Sequence, residues 1–178
     1  MQPVFTAKQG KELLALARDS VKNYFKTGRP LSTRKYLEAR GVFVTITKRG
    51  ALRGCIGYPL PVKALGQSVA EMACAAAFND YRFPPLEEGE LAEAKFEVSV
   101  LTVPESVKGD ALKEVMVGRD GLIIESAGRS GLLLPQVPVE CGWNVEQFLE
   151  ALCDKAGLPR GSWRSARLQK FGAQVFTE

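Results

Sequence analysis

The sequence contains no histidine. That absence removes the Ser–His and Cys–His catalytic pairs, the HExxH zinc site and any histidine proton shuttle. Chemistry is left to Cys, Asp, Glu, Lys, Arg, Ser, Thr, Tyr or backbone amides. The four cysteines, Cys55, Cys74, Cys141 and Cys153, form no CxxC pair, which disfavours a zinc ribbon or a thioredoxin-type motif. No Walker A loop, GxGxxG fingerprint or aromatic–basic RNP stretch occurs. The opening residues lack a basic region followed by an apolar stretch, and the Ala-rich run before Asn79 is far too short to span a bilayer. The expectation is a cytoplasmic protein with free thiols, no membrane, no metal and no cofactor. Charge is nearly balanced, 24 Lys and Arg against 20 Asp and Glu, too weak an excess to announce a nucleic-acid binder by itself.

What is present is ordinary globular material: 178 residues, 46% hydrophobic and 25% charged. A chain of this size builds a real core as one domain spanning 1–178. Residues 6–26 read as an amphipathic helix opened by a Thr6/Gln9 capping box and stopped by Gly28. A short helical turn is expected around Lys35–Ala39. Residues 42–48 and 51–58 alternate as a hairpin through Lys48-Arg49-Gly50. Residues 62–78 read as a second helix, whose small residues admit another backbone closely. An acidic solvated connection, Glu87–Glu93, precedes a strand at 95–103. A hairpin over 122–125 and 132–134, a third helix at 145–156, a basic tail and a last strand at 171–176 follow. Hairpins and alternating polarity predict an α+β fold with a mainly antiparallel mixed sheet flanked by helices.

The most pointed segment is Leu52-Arg53-Gly54-Cys55-Ile56-Gly57. Glycines inside a strand mark a bulge or a close approach. Alternation puts Arg53 and Cys55 on one face, so the segment reads as a reactive thiol or an anion site with Gly54 and Gly57 shaping it. The competing account is a buried strand cysteine, with Arg53 paired to an acid and the glycines needed for packing. Asp80, Arg82 and Phe83 follow the Ala-rich helix as site-forming loop residues, or as a local salt bridge beyond an Asn79 cap. Glu97 is a candidate base or a partner for Arg53, or simply solvent-facing, and Ser99 shares its strand face. Asp120, before Gly121, is first of all a turn residue and is also a candidate for substrate or anion binding. Gln136 and Trp143 line a pocket, or Trp143 anchors the third helix.

Taken together these segments resemble the AMMECR family. The resemblance rests on Leu52–Gly57, Ala75-Ala76-Ala77 with Asp80–Phe83, Glu97–Leu101, Gly121-Leu122-Ile123, Leu133–Val137, and Trp143 with Lys155–Leu158, in that order. It implies an α+β protein with a larger lobe, a smaller lobe and a cleft between them. It also implies a component acting with a Memo-like protein and a radical-SAM enzyme, and a fold grouped with nucleotide- and nucleic-acid-binding modules. Some members carry histidine where this chain has Asp120. Three readings follow. One is chemistry at Cys55, with Arg53 binding substrate and Asp80 or Glu97 as base. The second is a module that binds a small anion, nucleotide or nucleic acid through Arg53 and Arg82. The third is an adaptor.

Overall fold

The first helix begins where the Thr6/Gln9 spacing places it. The Thr6 hydroxyl accepts from the Gln9 N–H and the Gln9 side chain accepts from the Thr6 N–H, closing the capping box. Helix α1 runs Ala7–Thr27 and ends at Gly28, whose φ of 69° suits a residue without Cβ. Strands β1 (Val42–Lys48) and β2 (Ala51–Tyr58) then form the expected hairpin. Its turn residues, Arg49 and Gly50, have φ of 52° and 81°, the primed geometry that matches strand twist. The structure, a computed structural model, describes residues 5–178. Residues 1–4, part of the stretch assessed above for a leader, lie outside them.

No helical turn forms around Lys35–Ala39. That segment is instead an extended strap across the start of helix α2 (Leu65–Phe78). The N-terminus of a helix leaves amide donors unpaired, and Ala64 supplies no side-chain cap. The strap fills this need: Leu65 N–H donates to the Glu38 carbonyl (2.8 Å) and Gly66 N–H to the Tyr36 carbonyl (3.1 Å), beside an Ala39–Ala64 bridge. Tyr36 takes φ 52° in this segment, and its hydroxyl donates to Glu12. Burial, reinforced by that bond, pushes the Tyr36 pKa up to about 12. The Ala39–Ala64 bridge holds Ala64 extended, and α2 accordingly starts at Leu65, later than the 62 expected.

Strand β3 (Ala94–Leu101) pairs antiparallel with β1, giving a sheet of order β2-β1-β3-β8, where β8 is Ala173–Thr177. Val42, Val44, Ile46, Phe96 and Val98 lie buried in one core with Leu13, Val21, Val69 and Ala73 of the two helices. Burying each large side chain is worth roughly 1.5–3 kcal/mol. Backbone meets backbone at Gly54, where a Cβ would lie 2.0 Å from the carbonyl oxygen of Ala76. The small residues of α2 allow that backbone-to-backbone contact. The acidic connection is not fully solvated: Glu88–Ala92 forms a 3-10 turn and Glu90 is largely buried against Arg53 and Lys48.

A second compact unit spans Thr102–Ala173, while the first comprises the described residues through Leu101 together with Gln174–Glu178. The second holds β4 (Glu105–Ser106), α3 (Ala111–Glu114), β5 (Gly121–Ser126), β6 (Arg129–Leu133), α4 (Gln136–Glu140), α5 (Val145–Lys155) and β7 (Arg167–Phe171). Its sheet order is β4-β7-β5-β6, every register antiparallel. Phe148, Leu149 and Leu152 of α5 pack with Leu122, Ile124 and Trp163 as its core. The expected α+β class and antiparallel pairing hold, with the strands divided between two sheets. The last strand expected at 171–176 is two strands, broken at Gly172, and each joins a different sheet.

Gly54→Ala drives a methyl into the α2 backbone and is expected to cost about 3 kcal/mol or more. Gly50→Ala meets no neighbour within 4 Å and carries only the left-handed backbone penalty, about 1 kcal/mol. Urea unfolding of the two variants checks both the size and the order.

Candidate functional site

Strand β2 is an edge of its sheet, so alternate N–H and C=O groups face outward without a ladder partner. At Cys55 both are taken by the loop after α2. The Cys55 N–H donates to Asp80 Oδ2 (2.9 Å), and the Cys55 carbonyl accepts from Arg82 Nη2 (3.1 Å). The two loop residues hold each other: Arg82 Nε and Nη2 donate to the Asp80 carboxylate at 2.9 and 2.6 Å, and the Arg82 N–H adds a bond of 3.2 Å. This Asp-x-Arg turn replaces one rung of a neighbouring strand with a carboxylate and a guanidinium.

The Asp80 side chain is only 2% exposed. The Arg82 guanidinium, helped by the two backbone N–H groups, holds its carboxyl far below the usual carboxylate range against the opposing effect of burial. A carboxylate so placed stays ionised with its oxygens engaged. Asp80, read from sequence as a candidate base, is therefore built as a clamp on the Cys55 backbone. Arg82, 44% exposed, also lies 5.5 Å from the Phe83 ring.

Outward-pointing backbone groups make Cys55 and Thr45 a non-hydrogen-bonded cross-strand pair, the arrangement that brings side chains closest. The Thr45 hydroxyl donates to Cys55 Sγ at 3.2 Å. On its other side Thr45 is in register with Glu97 of β3. Cys55, Thr45 and Glu97 thus form one row across three strands. Burial raises the Glu97 pKa above the ordinary carboxylate value, partly offset by a hydrogen bond from Ser99. The next row is Gly57, Phe43 and buried Ser99. The Phe43 ring lies over Gly57, where a Cβ would meet it at 2.5 Å. Gly54 and Gly57 are therefore both packing glycines.

Arg53 does not share this face with Cys55. The β1–β2 register shifts at Ile46/Thr47, leaving Arg53 as the extra residue of a bulge. A bulge re-aims the side chain it carries and breaks the alternation on which the expected pairing rested. Arg53 instead forks onto Glu90 (3.2 and 2.8 Å) and donates to the Pro84 and Pro85 carbonyls (2.7 and 3.1 Å). These bonds to Arg53 hold the Glu90 pKa down at about 2. Arg53 accordingly pins the loop after α2, and Glu97 forms no ion pair with it.

The remaining expected residues belong to the second unit. Asp120 is buried, accepting from Arg119 (2.7 and 2.6 Å) and the Met116 N–H (2.9 Å). It lines an open pocket of about 330 Å³ with Arg119, Lys170, Phe171 and Thr102. Trp143 packs against that unit's core and lines a groove along α5, while Gln136 is exposed at the start of α4 and is not part of that groove's lining. Thr45 and Glu90 had no sequence signal. The bulge defeats counting back from the turn to Thr45, and Glu90 sits in an acidic run with nothing to distinguish it. Among the described residues, no group of three or more Cys, Asp or Glu is placed to hold a metal ion, and no helix is long and apolar enough to cross a membrane.

The sequence model of the AMMECR1 family matches residues 14–176, across both units. This chain belongs to the AMMECR1 family. A protein of Thermococcus onnurineus is 45% identical over 184 residues, covering 95% of this chain and 90% of its own length. Protein MK0488 of Methanopyrus kandleri is 45% identical over 186 residues, with 97% and 90% coverage. The crystal structure of the uncharacterized protein PH0010 from Pyrococcus horikoshii superposes with a TM-score of 0.87 at 42% identity, covering 96% of this chain and 92% of that one. These AMMECR1 relatives support the fold, and their names carry no reaction.

The geometry sets two stability signatures. Asp80 is depressed in the folded state, so its contribution is full above the unfolded value near pH 4 and fades as pH falls below it. Asp80→Asn should cost about 2 kcal/mol at pH 7 from lost charge-assisted bonds, with the deficit shrinking in acid. Glu97 is raised, so the folded state is penalised as pH climbs past the ordinary carboxylate value. Glu97→Gln should match the native protein near pH 3 and exceed it at pH 7. Denaturant midpoints across pH 3–8 check both directions.

Proposed function

We propose that this AMMECR1-family protein works as a thiol-centred component, with Cys55 as the reacting group and Glu97 as the ionisable group serving it. The observation that carries this reading is the row Cys55–Thr45–Glu97 on the sheet face opposite the one that packs on the helices. Cys55 is half-buried, its sulfur is positioned by the Thr45 hydroxyl and its backbone is fixed on the outer side by Asp80 and Arg82. Fixed geometry of this kind is what a reacting group requires. Glu97, raised by burial, takes the base role that the sequence divided between Asp80 and Glu97. Ser99 and Phe43 border the row.

The Memo-like protein and the radical-SAM enzyme implied by the family resemblance are the partners we assign to this chemistry, in the cytoplasm. The alternative, a module holding a small anion or nucleotide without chemistry, is favoured by one feature, the part-exposed Arg82 guanidinium beside Phe83. Arg53, the other cation expected there, is engaged by Glu90.

Iodoacetamide labelling of the native protein, read by mass spectrometry, tests the proposal. Exposed Cys141 and half-buried Cys55 should label, while buried Cys74 and Cys153, whose pKa values burial pushes up, should label only on unfolding. The Cys55 rate should rise with pH in two steps, and Glu97→Gln should remove the lower one and slow labelling several-fold at neutral pH. A Cys55 as inert as Cys74, or a rate profile unchanged by Glu97→Gln, would overturn the thiol reading. Salt-sensitive binding of ATP or inorganic phosphate that Arg82→Lys weakens would favour the anion module.

A further inference from the structure

The clamp at the strand edge leaves part of Arg82 unused. Its Nε and Nη2 donate to Asp80, and Nη2 also donates to the Cys55 carbonyl. These bonds occupy three of the five guanidinium N–H donors. Nη1, which carries the other two, has no acceptor among the described residues. The acid and the cation are also unequally placed: the Asp80 side chain is 2% exposed and that of Arg82 is 44% exposed. Solvent therefore meets the guanidinium with its neutralising carboxylate behind it. A forked pair built this way is an oriented dipole with its positive end outward, and little further ordering is needed when an anion binds.

Cys55 lies beside this cation. The carbonyl that accepts from Arg82 Nη2 at 3.1 Å and the sulfur belong to one residue, so the strand itself holds the guanidinium and Sγ a few bonds apart. The two groups also feel one another: the bond to Asp80 raises the Arg82 pKa, and a negative charge on Cys55 raises it further. Sγ is meanwhile positioned by the Thr45 hydroxyl. The Phe83 ring, 5.5 Å from the guanidinium carbon, gives the cation an apolar neighbour. Arg53 plays no part here, since Glu90 and the Pro84 and Pro85 carbonyls engage it. One free nitrogen and one charge, already shared with Asp80, match a single carboxylate better than a phosphate dianion.

From this we infer that the Cys55 site takes a small carboxylic acid, with its carboxylate on Arg82 Nη1 and an electrophilic carbon, a few bonds away in the same molecule, at Cys55 Sγ. The inference rests on the thiol reading above and adds the substrate class. In the step itself Sγ forms a bond to that carbon, the bond from the carbon to its leaving group breaks, and the leaving group takes the electron pair. The thiol proton passes to Glu97, the base of that reading.

Iodoacetate and iodoacetamide test this on the native full chain. The same thiolate displaces iodide from either reagent, and the two differ in carrying a carboxylate or a neutral amide. The ratio of their rates at one cysteine therefore cancels thiol access and thiolate fraction. The same ratio at Cys55 of the urea-unfolded chain is the reference. The native ratio should exceed that reference about five-fold, within what an exposed charge pair supplies. It should fall toward the reference as sodium chloride rises. Arg82→Gln should bring it down to the reference, whereas Lys8→Gln, which removes the same charge from the first turn of α1, should leave it unchanged. The salt series needs no substitution, so it decides the matter even where Arg82→Gln loosens the clamp. A native ratio no higher than the reference, or one indifferent to salt, would overturn the inference and leave the thiol reading in place. A Cys55 that neither reagent labels would overturn the thiol reading and this inference with it.

Discussion

The backbone of β2 meets the backbone of α2 at Gly54 and Ala76 with no side chain between them. Much of the first unit depends on that contact. It requires a glycine in the strand and a run of alanines in the helix, and it brings the end of α2 to the open edge of the sheet. The chain leaving α2 then reaches Cys55 within two residues, and Asp80 and Arg82 satisfy the outward backbone groups of the strand. A bulkier residue at either contact would lift the helix and carry the clamp away from the edge. The Leu-Arg-Gly-Cys-Ile-Gly segment owes its glycines to packing, and its cysteine is presented because the glycines pack.

Charge is managed by the same economy. Arg53, Arg82 and Arg119 each fork onto one carboxylate; Asp80 and Asp120 are far more deeply buried than their arginines, whereas Arg53 and Glu90 are buried together. A forked pair fixes orientation as well as charge. Arg53 with Glu90 sets the loop after α2, Arg82 with Asp80 sets the strand edge, and Arg119 with Asp120 sets the turn into β5. In each case the acid also accepts from a backbone N–H, so the pair ties a side chain to the chain path. The row through Cys55, Thr45 and Glu97 is different: among the described residues its carboxylate has no cation partner, and burial pushes its pKa above the ordinary carboxylate value. These three paired acids build the frame, and Glu97 stands on the face with the thiol.

Local pattern was enough for much of the fold. The Thr6/Gln9 box, the Arg49-Gly50 turn, the alternation of Val42–Lys48 and the apolar face of α5 are each set by neighbours within a few residues, and each formed as read. The family resemblance was also legible, because its segments lie in order along the chain, and the match over residues 14–176 bears it out. The strap at 31–41 was not, since its conformation answers to the unpaired amides of a helix start some thirty residues later.

The sequence by itself determined that histidine chemistry is absent, that the class is α+β, and that Cys55 sits between glycines in a strand. Tertiary structure alone decided what surrounds that cysteine. One bulged residue turned Arg53 from the thiol toward Glu90, and the same shift moved Thr45 into register with Cys55. Whether Asp80 serves as base or clamp depended on where the end of α2 falls against the strand edge. Register and helix approach are sums of many contacts distant along the chain, and a single bulge inverts what alternation predicts.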